Sequence, residues 1–340
     1  MLFDSQLNEF EVIRKALLSK ITGFSKKTFL ITGATGLIGR YLVYFLSYLD
    51  IELKIIAVSR NSKKLEKYFH GVNNVEFIEC DLNNGRIDFD YPVDVIIHAA
   101  SNSDPYSFSS DPVGTMKTNL LGTSALLDFA VSHHSDFLFI STGEVYGNRN
   151  DYLFKETDLG SIDNKLVRSC YPESKRAAET LCISYGKQFN LKVRIARLCY
   201  VYGPYITDTN SRADAQFLRN ALKSEDIVLK SQGLQKRTYC YIADAVCALF
   251  YILNGNEIIY NVSNRNSVVS LKEYANVLAK IAGVKISFEL SKFIEDSSNM
   301  KHIDLMLEST KLENLGWRCF FDLESGIKHT FYIARELMAE

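Results

Sequence analysis

Short runs in which nearly every position is apolar recur along the chain, each followed by a stretch with apolar residues three or four apart. The first kind predicts a strand buried on both faces, the second a helix lying on a sheet. Strands are expected over 29–32, 54–59, 75–79, 94–98, 137–141 and 192–198, with helices over about 40–46, 63–69, 113–132 and 172–189 between them. In the second strand Ile55, Ile56, Ala57 and Val58 leave no polar face. Ahead of this rhythm, residues 1–24 predict an amphipathic helix with Phe10, Ile13, Leu17 and Leu18 on one face. After Tyr202-Gly203-Pro204 the alternation becomes irregular. A helix over 213–223 and a short strand over 227–229 are followed by mixed helices and short strands from 264 to 340. Buried strands separated by helices make a parallel sheet covered on both sides.

The first strand runs into Thr32-Gly33-Ala34-Thr35-Gly36-Leu37-Ile38-Gly39, and a helical pattern starts at once. Each glycine has its own reason. Gly33 permits the tight strand-to-helix turn, Gly36 lets backbone approach a pyrophosphate, and Gly39 lets the helix pack closely. The helix start offers unpaired N–H groups to phosphate oxygens, so Thr35, Leu37 and Ile38 join the glycines as expected cofactor contacts. The expected fold class is therefore α/β, a Rossmann-type doubly wound parallel sheet with a smaller C-terminal substrate-binding lobe. The expected division is a helical extension over 1–24, a dinucleotide-binding domain over 25–200 plus about 238–263, and a lobe from 201–237 and 264–340. The lobe is placed over the strands' C-terminal ends, where ligands bind in this architecture.

With 340 residues there is ample chain for a large core. A formal net charge of -1 advertises neither nucleic acid nor an anionic membrane as partner. The apolar runs are too short to span a bilayer, and Met-Leu-Phe-Asp does not begin a secretory leader. Seven cysteines without a C-x-x-C pair read as reduced, mostly buried thiols, which points to a cytoplasmic protein. His133-His134 has no partner ligands at a recognisable spacing, so no metal is expected.

The chemistry centres on Tyr171 and Lys175, one helical turn apart and on one face. A lysine charge near a phenol favours the phenolate, so the tyrosine pKa is expected to fall toward neutrality. Such a base takes a proton from a sugar hydroxyl while hydride leaves the same carbon. The pair gains weight from its order in the chain: glycine turn, then a strand ending in Ser141-Thr142, then Tyr171 and Lys175.

This order resembles the extended short-chain dehydrogenase/reductases, specifically the NAD(P)-dependent nucleotide-sugar epimerase/dehydratase family, over about residues 27 to 330. The matching segments are Asp81-Leu82, His98-Ala99-Ala100, Asn119 in Thr118-Asn119-Leu120-Leu121-Gly122-Thr123, Ser141-Thr142-Gly143-Glu144-Val145-Tyr146-Gly147, and Tyr171-Pro172-Glu173-Ser174-Lys175. Tyr202-Gly203-Pro204, Gln235 to Asp244 and Leu315-Gly316-Trp317 complete them. The surroundings of Arg168-Ser169-Cys170-Tyr171 look nearest to the UDP-glucuronate decarboxylase branch. The resemblance implies that Asp81 and Leu82 lie by the adenine, and that His98, Ala99, Ala100, Ser101 and Asn119 line the cofactor. It implies that Thr142 bonds the sugar's C4 hydroxyl, Tyr171 is the base, Lys175 holds the ribose, and Arg237 grips the diphosphate. It also implies a homodimer paired through the 113–132 and Tyr171 helices.

Transient oxidation at C4 is then followed by epimerisation, decarboxylation or dehydration. Dehydratases of the dTDP-glucose type carry an Asp-Glu pair where this chain has Gly143-Glu144, so the acid of that scheme is missing and Glu144 remains as base or positioning carboxylate. Two further departures bear on the substrate. Tyr200 stands where an asparagine contacts substrate in the family, and Lys301 and His302 are the nearest cations to an expected C-terminal arginine. The second strand ends Val58-Ser59-Arg60-Asn61 without a carboxylate to repel a 2′-phosphate, and Arg60 is an expected cofactor contact able to pair with one, so both NAD and NADP remain open as cofactor. An NADPH-dependent 4-ketoreductase and a non-catalytic scaffold are the competing readings.

Overall fold

The computed structural model describes residues 4–87, 89–147, 149, 152–207, 210–289 and 304–339. Lys301 and His302 lie outside the described residues. The strands are β1 (Lys27–Thr32), β2 (Leu53–Ser59), β3 (Val75–Glu79), β4 (Val95–His98), β5 (Asp136–Thr142), β6 (Leu153–Phe154), β7 (Val193–Leu198), β8 (Tyr200–Tyr202), β9 (Ile227–Leu229), β10 (Lys236–Tyr241), β11 (Ile259–Val262) and β12 (Val268–Ser270). The helices are α1 (Asp4–Ile21), α2 (Leu37–Tyr48), α3 (Ser62–Phe69), α4 (Pro105–Ser110), α5 (Pro112–Lys117), α6 (Thr123–His133), α7 (Cys170–Phe189), α8 (Ala213–Leu222), α9 (Ile242–Leu253), α10 (Leu271–Ala282), α11 (Thr310–Glu313) and α12 (Leu323–Ala339).

Seven strands form one sheet in the order β3-β2-β1-β4-β5-β7-β11, and every neighbouring pair is parallel. The chain winds outward from β1 to β3 and then returns to place β4 against β1. That reversal opens a crevice at the strands' C-terminal ends, where Thr32 lies opposite His98. The sheet is covered on both faces, as the apolar strands require: Phe29, Leu30, Ile31, Ile55, Ile56, Ile96 and Ile97 are all fully buried.

A second, small sheet runs β12-β10-β8 beyond the crevice, with β10 parallel to β8 and antiparallel to β12. Because β10 is one strand from Lys236 to Tyr241, it crosses the boundary expected at 237/238. β6 pairs with Met306–Leu307, so a segment between β5 and α7 is tied to the C-terminal part of the chain.

Three local expectations change. In α1, Phe10, Ile13 and Leu17 are buried but Leu18 is 51% exposed, since it lies about 100° round the helix from Leu17. Glu9 takes a place on the buried face instead, because Tyr41, Tyr241 (2.6 Å) and His329 (3.1 Å) satisfy its carboxylate. The helix expected over 113–132 is interrupted by a π-helical turn at Thr118–Gly122, between α5 and α6. The short helix α4 has no counterpart in the sequence reading. Among the described residues, no helix is long and apolar enough to cross a membrane.

Candidate active site

A cavity of about 730 Å³ lies over the β1/β4 crevice and reaches the small sheet. The turn after β1 forms its floor, and the glycines there have little alternative. Gly33 has φ +66°, and a Cβ would sit 2.7 Å from the Ala99 carbonyl oxygen. At Gly39 a Cβ would lie 2.3 Å from the Gly33 oxygen, so it is the turn itself, more than the strand, that α2 packs upon. Gly36 precedes α2 and faces the cavity, leaving the first N–H groups of a twelve-residue helix open to a phosphate.

The cavity is lined by Gly33, Thr35, Gly36, Leu37, Ile38, Gly39, Arg60, Asp81, Leu82, Ala99, Ala100 and Ser101 at one end, and by Thr142, Glu144, Tyr171, Lys175, Tyr200 and Arg237 at the other. Two expected cofactor contacts are displaced. Asn119 is fully buried and does not line the cavity: it donates to Ser174 Oγ (2.9 Å) and accepts from Ser101 Oγ (2.7 Å). It braces α7 and the loop after β4 from behind, and the π-turn carries it inward. His98 is likewise buried between Thr32 (2.7 Å) and Thr123 (3.1 Å). Burial, followed by the Lys175 charge, drives the His98 pKa down to about 3, so it serves as a neutral strut.

Thr142 ends β5, its hydroxyl accepts from Glu144 N at 3.2 Å, and it lines the cavity together with Tyr171. Tyr171, at the start of α7, stacks on Phe108 of α4 at 4.5 Å and 20°. Lys175 donates from Nζ to the Ile140 carbonyl at 2.8 Å and lies 4.6 Å from the Phe139 ring centre. The expected fall in the tyrosine pKa is absent. Burial pushes the phenol well up, and Glu144 adds to that, against smaller opposite effects from Thr142, Arg168 and Arg212. Burial also brings Lys175 down to about 7, although Glu179 works the other way. Spacing along a helix placed these groups on one face but carries no information about their loss of water, which is the larger effect here.

A pH prediction follows for Lys175. Its folded pKa of about 7 lies below the unfolded value of 10.5, so between these limits the unfolded chain holds the extra proton and stability gains from rising pH. Lys175→Met removes this dependence. The stability of wild type relative to Lys175→Met, followed by denaturant unfolding, should increase from pH 7 toward pH 10 and be flat below pH 7.

Several cavity residues escaped the sequence reading. Arg168 pairs with Glu144 at 2.6 Å and lies over the Phe108 ring at 4.4 Å. Its Nη1 is buried with no hydrogen-bond partner. The sequence marks it only as part of the Arg168-Ser169-Cys170-Tyr171 segment, with no role of its own. Arg212, which bonds Asp214 (2.9 Å) and the Val201 carbonyl (3.1 Å), comes from the irregular segment and left no signal. At the small sheet, the Arg237 guanidinium stacks over Tyr200 at 4.1 Å, with Nε buried and unpartnered, and Gln235 Oε1 is unpartnered beside it. Unsatisfied buried polar atoms are costly, so this corner is built for a polar ligand. Substituting Arg237→Ala should raise KM for the ligand of this corner about tenfold or more with kcat changed far less, read from initial rates. An unchanged KM would place the contact elsewhere.

The sequence profile of the NAD dependent epimerase/dehydratase family matches residues 29–263, more than half of the chain. The chain belongs to that family. It is 31% identical over 303 residues to UDP-glucuronic acid decarboxylase 3 of Arabidopsis thaliana, covering 88% of this chain and 86% of that relative. Among solved structures it is similar in fold to the Thermotoga maritima UDP-glucose 4-epimerase with UDP-glucose (TM-score 0.80, 22% identity, 92% and 99% of the two chains). It is also similar to the Bacillus cereus UDP-glucuronic acid 4-epimerase with UDP-glucuronic acid and NAD (TM-score 0.75, 21% identity, 91% and 99%). At these identities the structural likeness speaks for the fold alone. As a family member the chain is a nucleotide-sugar enzyme working with a nicotinamide dinucleotide, and the turn at Gly33, Gly36 and Gly39, with the open N–H groups at the start of α2, suits the pyrophosphate of that cofactor.

Proposed function

We propose that this enzyme oxidises C4 of a nucleoside-diphosphate hexuronate and then releases the C5 carboxyl group as carbon dioxide. Arg168 carries the reading: a guanidinium beside Glu144, with one nitrogen buried and unpartnered at the sugar end, suits a substrate carboxylate. Gly143 supports it from the other side. With no side chain there, the position offers no acid, and a Cβ would first meet the methyl groups of Leu307 at 2.9 Å. Dehydration thereby lacks its proton donor. The name of the Arabidopsis relative agrees with a glucuronic acid nucleotide.

In this reading Thr142 holds the C4 oxygen, Tyr171 removes its proton, Lys175 orients the cofactor ribose, and Arg237 holds the diphosphate. A bound nicotinamide supplies the hydride acceptor at C4 and the donor that returns it. Once C4 is a ketone, the C5 carboxylate is a β-keto acid. The C5–C6 bond breaks, carbon dioxide leaves, and the electron pair moves to the C4 oxygen as an enolate that Thr142 and Tyr171 stabilise through hydrogen bonds. C5 then takes a proton from water held by Glu144, C4 is reduced again, and Tyr171 returns its proton to the oxygen. The net change is gain of one proton and loss of carbon dioxide.

Mass spectrometry of UDP-glucuronate incubated with the purified enzyme tests this. Loss of carbon dioxide is expected. An isomer of unchanged mass would replace decarboxylation by 4-epimerisation, and loss of water would overturn the role given to Gly143. A homodimer in the cytoplasm goes with this reading, paired through the 113–132 segment and α7, where Val113, Met116, Leu121 and Ile183 are exposed. Sedimentation of a monomer at micromolar concentration would reject the pairing.

A further inference from the structure

The cavity's adenosine end differs in charge from what an unphosphorylated ribose needs. Folds of this kind that select NAD place a carboxylate at the end of the second strand, where it accepts from the ribose 2′-hydroxyl. Here that rim is Ser59, Arg60, Asn61 and, one turn into α3, Lys64, and all four line the cavity. The nearby oxygen acceptors are already engaged. Ser59 Oγ shares a hydrogen bond with Thr35 Oγ1 at 3.0 Å, and Asn61 Oδ1 accepts from Lys64 N at 2.9 Å as the cap of α3. Glu79, at the end of β3, turns its carboxylate to Ser62 N at 3.2 Å and is not part of the lining. Asp81, the carboxylate that does line this end, accepts from Asn83 N at 3.0 Å and closes the turn after β3.

The cations are in the opposite condition. Among the described residues neither Arg60 nor Lys64 pairs with a carboxylate; Arg60 Nη2 reaches only a long contact of 3.4 Å with the neutral Asn102 Oδ1. Two positive side chains without a carboxylate partner thus face this rim, where the lining carboxylate, Asp81, is tied to the turn after β3 and not to either of them. A phosphate monoester there would bring about two negative charges and accept charge-assisted hydrogen bonds from both. A ribose hydroxyl would bring neither.

We infer that this enzyme takes the 2′-phosphorylated cofactor, NADP, in preference to NAD, with Arg60 and Lys64 recognising the 2′-phosphate. The inference rests on the dinucleotide reading of the cavity and narrows it; it is independent of what becomes of the sugar. It also runs against the family's description as NAD dependent, and the reason is local to this chain: an arginine follows the second strand where a carboxylate would stand.

The test begins with the purified full-length protein, whose resident cofactor is released by denaturation and identified by mass spectrometry. Calorimetric titration of the cofactor-free protein with NADP⁺ and with NAD⁺ follows, at low and at high sodium chloride. NADP⁺ is expected to bind about tenfold or more tightly, with the ratio shrinking in high salt because both cations are exposed and screened. In the Arg60→Ala/Lys64→Ala protein the affinity for NADP⁺ should fall far more than that for NAD⁺, bringing the ratio close to one. Equal or tighter binding of NAD⁺ overturns the inference and leaves the cavity's dinucleotide role standing, as does an NADP⁺ preference that survives the double substitution. Binding of neither nucleotide overturns that role as well. Whether UDP-glucuronate is turned over bears on neither result.

Discussion

Tyr171→Phe is expected to lower kcat by about a thousandfold, within the range a positioned acid–base group commonly contributes, while cofactor affinity and Tm stay close to wild type. The structure explains why the damage should be confined to chemistry. A phenylalanine ring keeps the stacking on Phe108 at 4.5 Å, and Thr142 retains its backbone partner at Glu144 N. No buried polar atom is orphaned by the change, so no large folding penalty arises. What disappears is the only group proposed to carry the C4 proton. Steady-state kinetics and calorimetric cofactor binding check both halves together. Activity within about threefold of wild type would remove Tyr171 from the mechanism, whatever its place in the cavity.

The high pKa of Tyr171 in the cofactor-free enzyme sharpens this expectation. With the phenol pushed up by burial and by Glu144, the free enzyme holds a neutral tyrosine throughout the physiological range. A bound cofactor would bring the positive charge of its nicotinamide to this end of the cavity and so favour the phenolate, with Lys175 as the residue that would hold its ribose.

Glu179→Ala is the second large effect, and here the loss is in stability. The Glu179 carboxylate is buried and takes Arg197 at 2.6 Å and Ser141 Oγ at 2.5 Å. Arg197 also donates to Tyr146 at 2.9 Å and is itself only 12% exposed. Removing one member of a buried ion pair leaves the other charged and unsolvated, at a cost of about 3–5 kcal/mol. A fall in Tm of roughly 5–10 °C is expected from that loss. The double substitution Glu179→Leu/Arg197→Met should recover much of it, because it leaves no unpaired charge. A single substitution costing under about 1 kcal/mol would mean that the pair is well solvated after all. The network lies directly behind the site: Ser141 precedes Thr142, and Glu179 is one turn beyond Lys175 on α7.

Both substitutions show how far linear reasoning reaches. The turn at Gly33, Gly36 and Gly39, the alternation of strands and helices, and the joint appearance of Thr142, Tyr171 and Lys175 in one cavity are all legible from order and spacing. So is the missing carboxylate after Val58. These features depend on residues within a turn or two of one another, or on a strand being apolar on both faces, and such constraints are written locally. The parallel sheet adds little freedom, because chain order and handedness leave few ways to wind it.

Other features required distant segments to meet. Phe108, Arg168 and Arg212 come from three separate stretches of the chain, and only folding sets them round Tyr171 and Tyr200. Asn119 is turned from cofactor ligand into buried brace by a π-turn that its sequence does not announce. Leu307, some 164 positions after Gly143, comes to lie beside it. The pKa values of Tyr171 and Lys175 went against the spacing argument because desolvation sums over all surrounding atoms, and most of those belong to other elements. Periodicity thus specifies which groups share a face, whereas packing across the chain settles how much water they keep, and for a buried acid or base that is the stronger influence.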